Sequence, residues 1–564
     1  MKRFRPLTRR GLLIGAGAAA TFGAPAFGQG HAMRRIAPNL ASDAFTPDVE
    51  LELICKRDET PILTGKPTRV WRYVGNLIKG PPNALTALPD AYLGPLLRFT
   101  KGQKVRIRLR NELPEETITH WHGLHVPMLM DGHPTAAIDP GETYVYEFEI
   151  RNRAGMYFYH PHTHEKTATQ VYRGLAGAII VEDAEERALG LPSGEFEIPL
   201  VIQDRSFDDD NQLAYGGDMH TSMFGFYGDR VLVNGRSDFT LDVASRAYRL
   251  RLLNGSNARI YKLCWDDRTP LTVIGVDGGL LEKAETRPYV MLAPAERLDL
   301  IVDFSGRPQG SKLTMLSGEF YGLIPPMAQR MMGSDLAMGE EFPLFTARVT
   351  KASNDSWKLP EKLSTIRRFR KDEIANLDDP MPIAITMAHM AMFLNGRPYG
   401  HDDIQPRERI PVDTTQLIEI FHEHGGMGGM GMGGMGGMGM GGMQGRGMMG
   451  GGMMRGRMGM GGMGRGGMGM GGMGGMGMMS MAHPIHLHGQ PFEIIERRFE
   501  GDEDAYASVR DGFIDSGLKD TVLVTPGERL RIIKPFGDFK GRFMYHCHNL
   551  EHEDAGMMRE FSVE

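Results

Sequence analysis

An all-β chain built from three related β-sandwich units is predicted by three observations: strand-type alternation, the lack of any long stretch of helical periodicity, and a short motif that recurs three times. Val105, Ile107 and Leu109 alternate with Lys104, Arg106, Arg108 and Arg110, the period-two pattern of a half-buried strand. Tyr248-Arg249-Leu250-Arg251-Leu252 repeats it. Pro140-Gly141-Glu142, Pro294-Ala295-Glu296 and Pro526-Gly527-Glu528 each introduce an alternating strand, over 144–150, 298–304 and 530–536. Setting aside the N-terminal segment and the insert described below leaves roughly 160 residues per unit, a size that suits a β-sandwich. The units are placed at 45–187, 190–355 and 365–564.

Residues 1–28 read as a processing segment. Lys2, Arg3, Arg5, Arg9 and Arg10 precede an apolar run from Gly11 to Ala20, and Ala24-Pro25-Ala26 offers a small-x-small cleavage site. Thr8-Arg9-Arg10-Gly11-Leu12-Leu13 fits a twin-arginine export signal, which predicts a periplasmic protein that crosses the membrane already folded. The apolar run is shorter than the roughly 20 residues that span a bilayer, so no membrane span is expected in the mature protein.

Of the 564 residues, 74 are Gly and 41 are Met, far outside normal usage. They concentrate between Gly425 and Met479, where the only other residues are Gln444, Arg446, Arg455, Arg457 and Arg465. Gly carries the largest backbone entropy cost of ordering, and Met alternating with Gly offers neither a helical stripe nor a strand face. The segment is therefore expected to be a disordered, thioether-rich loop in the third unit. A net charge of −6 argues against a nucleic-acid partner. Three cysteines, Cys55, Cys264 and Cys547, are too few for a disulfide framework; Cys55 and Cys264 form either one bridge or two buried thiols.

Most of the 19 histidines fall in four short clusters: His120-Trp121-His122, His160-Pro161-His162-Thr163-His164, His483-Pro484-Ile485-His486-Leu487-His488, and His546-Cys547-His548 followed by His552 and Met557. Two imidazoles, one thiolate and a distant thioether describe a blue-copper site, and His483, Cys547, His552 and Met557 supply that set. A structural zinc site wants four firm ligands and leaves Met557 without a role. In an extended His546-Cys547-His548 segment the two imidazoles point away from the face that carries the thiol, so one short peptide links a mononuclear copper to further coppers. His120, His122, His160, His162, His486, His488, His546 and His548 remain, enough to hold three coppers with positions open for oxygen. They come from the first and third units, which places the cluster between them.

These motifs resemble the copper-binding motifs of the multicopper oxidases, the family of laccases, ascorbate oxidase and ceruloplasmin, and the mature chain fits their form of three Greek-key cupredoxin domains. The likeness is closest to the bacterial periplasmic cuprous oxidases of copper tolerance, through the export signal, Arg251-Leu252-Leu253-Asn254-Gly255, and the run from His546 to Glu551-His552-Glu553-Asp554. The resemblance implies four copper ions: a type 1 site at His483, Cys547, His552 and Met557, type 2 ligands His120 and His486, and a type 3 pair at His122, His160, His162, His488, His546 and His548. It matches Asp131 and Glu553 to the acids that relay protons during oxygen reduction. His164 matches no ligand position and is expected to support the site from outside.

The implied reaction is the four-electron reduction of O2 to water, fed one electron at a time. Thioethers select Cu(I), and the Met-rich insert ends just before His483, which puts Met478, Met479 and Met481 beside the type 1 site as candidate substrate-copper ligands. Family members of this kind use Asp beside Met for that purpose, whereas this insert holds no acid; Asp335 with Met331, Met332 and Met338 is the alternative. Three readings follow: a cuprous oxidase, a laccase acting on phenols or Fe(II), and a copper-storing protein without activity. A monomer is expected.

Overall fold

The computed structural model describes residues 35–216, 219–325, 336–354, 356–388, 391–422 and 480–564. The segment expected to be an export signal and the Gly/Met insert, with Met478 and Met479, lie outside the described residues, as do Met331, Met332 and Asp335.

Six sheets stack as three pairs in chain order. In the first pair, strands Thr68–Lys79, Val49–Thr60, Lys104–Asn111 and Thr143–Glu149 form one sheet, and Leu85–Thr86, Leu96–Thr100, Gly177–Glu182, Gly155–Pro161 and Thr119–His122 the other. Both contribute to one core: Leu51, Leu53, Ile107 and Leu109 meet Leu97, Phe99, Trp121 and Ile179. The predicted alternation over Lys104–Asn111 is present residue for residue, with Val105, Ile107 and Leu109 buried and the basic side chains partly exposed. Comparable cores fill the second pair, around Leu250, Leu252, Leu298 and Leu300, and the third, around Ile418, Ile420, Leu530 and Ile532.

The three units repeat one topology. Val49–Thr60 lies parallel to Lys104–Asn111, Glu197–Arg205 to Ala247–Asn254, and Met381–Ala388 to Thr414–His422. In each partner sheet the last strand of the unit lies parallel to an early one: Gly177–Glu182 to Leu96–Thr100, Phe342–Lys351 to Thr240–Ala244, and Met558–Val563 to Arg409–Ile410. Such parallel neighbours need crossovers between the sheets, which is what makes each unit a Greek-key sandwich rather than a meander. Helices among the described residues are short, five or six residues each.

The motif that predicted the repeat has a backbone reason. Its central residue takes a left-handed conformation in all three copies: Gly141 at φ 89°, Ala295 at φ 69° and Gly527 at φ 85°. Glycine adopts this freely, whereas an L-residue is disfavoured there by roughly 1–2 kcal/mol. Ala295 is held in it because its N–H donates to Asn254 O at 2.9 Å and its side chain is buried. The strands that follow run Thr143–Glu149, Arg297–Asp303 and Glu528–Phe536, within two residues of expectation. Cys55 and Cys264 are separate buried thiols, in the first and second cores' sheets, so the bridge does not form.

Leu250 is fully buried in the middle core. Leu250→Ala is expected to cost about 2–5 kcal/mol, seen as a lower calorimetric midpoint.

Candidate metal centre

The centre is built from four strand segments. Thr119–His122 pairs antiparallel with Gly155–Pro161, which sets His120 opposite His160. His483–Leu487 pairs with Gly541–Cys547, which sets His486 opposite His546 and Ile485 opposite Cys547. Strand alternation then sends His546 and Cys547 to opposite faces, and each meets a different set of partners.

On the thiol side, Cys547 Sγ lies 3.5 Å from His483 Nδ1 and 3.9 Å from His552 Nδ1, and the two nitrogens are 3.3 Å apart. Ligands held at about 2.0–2.3 Å from one small metal ion stand roughly 3.3–3.9 Å from each other. His552 reaches this position from the short helix Leu550–Asp554, where its Nε2–H donates to Met223 O at 2.9 Å, leaving Nδ1 to face the thiol. Met557 is fully buried in the same apolar cluster, and its carbonyl accepts the Cys547 N–H at 3.0 Å. Burial pushes the Cys547 thiol up, so the proton leaves only when a cation replaces it.

On the other face eight imidazoles converge. Five are fixed by their Nδ1 atoms: His120 on Asp131 O at 2.6 Å, His160 on Pro161 O at 2.8 Å, His486 on Asp520 O at 2.8 Å, His546 on Cys547 O at 3.1 Å, and His488 on Asp131 Oδ2 at 2.7 Å. With the proton on Nδ1, each presents the Nε2 lone pair inward. His546 Nε2 lies 3.2 Å from His488 Nε2 and 3.3 Å from His162 Nε2, while the buried Nε2 atoms of His120, His486 and His548 have no hydrogen-bond partner. Lone pairs that face each other with no proton to share repel, and buried acceptors without donors are costly. Cations among these nitrogens relieve both costs, so the residues fit a polynuclear metal site.

His122 is turned the other way. Its Nε2 faces Asp520 Oδ1 and Thr521 Oγ1, each at 3.1 Å, and its Nδ1 lies 3.4 Å from His160 Nε2. Burial, reinforced by neighbouring imidazoles, draws His122, His160, His162, His483, His486, His488 and His548 well below the usual histidine range. Neutral imidazoles are the metal-binding form.

Both predicted acids lie against the cage and are buried. Asp131 Oδ2 accepts from His488 while Oδ1, 3.3 Å from His120 Nδ1, has no hydrogen bond. Glu553 lies between two imidazoles, its Oε2 3.0 Å from His546 Nδ1 and its Oε1 3.6 Å from His162 Nδ1, and Oε2 has no aligned donor. His164 stays outside the cage, its ring 5.3 Å from that of Tyr399. Met481 and Met338 are buried in the cluster that holds Cys547 and Met557. The sequence reading missed Asp520, Thr521, Arg297 and Met223: three act through backbone or second-layer contacts that leave no spacing signature, and Asp520 reads as one acid at the end of a short strand.

The first and last parts of the chain, residues 74–186 and 473–564, match two models described as multicopper oxidase. The multicopper oxidase McoA of Aquifex aeolicus is 30% identical, superposes with a TM-score of 0.70, and is covered over 99% of its length by 94% of this chain. The multicopper oxidase mco of Staphylococcus haemolyticus is 28% identical over 84% of this chain and 82% of its own length. A laccase of Bacillus subtilis is 28% identical over 88% and 90%. Fold and site thus define an oxygen-using oxidoreductase with copper cofactors. The chain belongs to the multicopper oxidases.

In the copper-free protein burial keeps His122, His160, His162, His483, His486, His488 and His548 neutral, whereas unfolded histidines take up protons near pH 6.5; burial draws His552, and His125 outside the cage, down to about 4. Proton uptake on unfolding therefore lowers stability as pH falls from about 6.5 toward 4. Denaturant midpoints of the copper-free chain across that window should drop steadily with acid.

Proposed function

We propose that the chain is a cuprous oxidase of copper tolerance, exported folded to the periplasm, that couples oxidation of Cu(I) to Cu(II) with reduction of O2 to water. It holds a type 1 copper at His483, Cys547, His552 and Met557, a type 2 copper at His120 and His486, and a type 3 pair at His122, His160, His162, His488, His546 and His548. Bound copper supplies one-electron transfer from the donor and four-electron delivery to dioxygen. The chain's own residues do the rest. Cys547 and its two flanking histidines form a covalent path a few bonds long between the two faces of one strand, and the buried cage excludes bulk water. Asp131 and Glu553 each keep an oxygen free of hydrogen bonds beside the cage, where it can hold a proton for the reaction.

The observation that carries the choice of donor is the cover over His552. Its ring is 1% exposed, and the atom facing away from Cys547 is capped by Met223 O on helix Met219–Phe224 of the middle unit. A phenol that met the site through His552 would need an exposed edge of that ring, and among the described residues this edge is closed. Met223, Met338 and Met481 instead crowd the same cluster, soft ligands suited to Cu(I). Oxidation of phenols or Fe(II) is the second reading, favoured by likeness to the laccase; a copper store without activity leaves Asp131 and Glu553 without a task.

Oxygen consumption by the copper-loaded chain with chelated Cu(I), and separately with a phenol, tests this. Deletion of Gly425 to Gly477 should lower Cu(I) turnover and keep or raise phenol turnover. Unchanged Cu(I) turnover reduces the insert to a linker and moves the laccase reading forward. Glu553→Gln should slow turnover by about 10²–10⁴-fold while anaerobic bleaching of the blue colour by the donor keeps its rate.

A further inference from the structure

The middle unit contributes no histidine to the cage, yet one of its side chains reaches the cage's outer layer. Arg297 stands at the start of strand Arg297–Asp303, directly after the left-handed turn at Ala295, and is almost fully buried. Its Nη1 donates to Asp520 Oδ1 at 2.7 Å and its Nη2 to Asp520 Oδ2, a two-pronged grip on one carboxylate. Its remaining donors go to Met156 O, Ala295 O and Asp277 O, and its own N–H to Asp277 Oδ1. The guanidinium is thereby fixed in direction as well as place.

Asp520 transmits that fixation. Oδ1 also faces His122 Nε2 at 3.1 Å and accepts from Thr521 Oγ1 at 2.9 Å, and its backbone carbonyl accepts from His486 Nδ1. Both Asp520 oxygens accept from Arg297, and Oδ1 accepts from Thr521 as well, so the carboxylate faces His122 as an acceptor. With an acceptor 3.1 Å from Nε2, the proton of His122 sits on Nε2. Gly123 leaves room for the pair: a Cβ at that position would stand 2.5 Å from Asp520 Oδ2 and 2.8 Å from Arg297 Nη2. His122 belongs to the first unit, Arg297 to the second and Asp520 to the third.

We propose that Arg297 is a positioning residue of the histidine cage: through Asp520 it holds the Nε2 proton of His122, so that His122 offers Nδ1 to copper, and the cage is complete only when the middle unit is docked. This rests on the four-copper reading above. Loss of the grip frees the His122 ring to change tautomer or rotate, which loosens copper bound by the type 3 set and leaves the Cys547 site, whose ligands all come from the third unit, untouched.

The test compares the loaded wild-type chain with Arg297→Lys and with the double variant Arg297→Met/Asp520→Leu, which removes both charges and leaves neither unpaired. Copper per chain, the visible thiolate-to-copper band, the near-ultraviolet band of the coupled pair and electron paramagnetic resonance are read on each. The expected result is a visible band at wild-type intensity with copper affinity of the coupled pair about 10- to 100-fold weaker, a fading near-ultraviolet band, and a smaller loss in the lysine variant. A wild-type coupled-pair signal retained at full copper affinity in the double variant overturns the inference alone. Should that variant fail to fold, an unchanged affinity in Arg297→Lys overturns it equally. Absence of a coupled-pair signal from the wild-type chain overturns the four-copper reading, and the inference with it.

Discussion

Everything else in this molecule is arranged around one unfavourable fact: a set of neutral imidazoles is packed with lone pairs facing inward, out of reach of water. Left alone, such a set repels itself and forgoes its hydrogen bonds. The protein holds it by fixing the outer nitrogens, through Asp131 O, Pro161 O, Cys547 O and Asp520 O, so that the rings cannot turn away. The strain is spread over three sandwich cores whose burial sustains it, and metal ions repay it.

Strand geometry does the sorting. Because neighbouring residues of a strand face opposite ways, a single step from His546 to Cys547 moves from the cage to the thiolate site. The same rule gives the first unit its paired contribution, His120 and His122 flanking Trp121, whose ring fills the core of the first sandwich. One structural rule thus sets both ligand placement and core packing.

Much of this was legible in the chain itself. The period of Lys104–Asn111 and the threefold turn motif predict sandwiches in triplicate, and the histidine spacing predicts which residues gather, since both depend on neighbours in sequence. What was not legible depends on neighbours in space. No spacing reveals that Arg297 meets Asp520 across 223 positions, that His122 is turned opposite to its fellows, or that Met223 covers His552. The turn at Ala295 is intermediate: the motif shows the repeat, but the tolerance of alanine at a glycine position comes from packing around it.

The order in which the cage's parts lie along the chain has a consequence for biosynthesis. Its first imidazoles, at His120 and His122, emerge from the ribosome hundreds of residues before His546 and His548, and the strands that bring them together pair only within completed sandwiches. A nascent or truncated chain therefore owns scattered histidines and no polynuclear site. The cage exists only in finished molecules, and an unfinished chain offers a copper ion none to occupy.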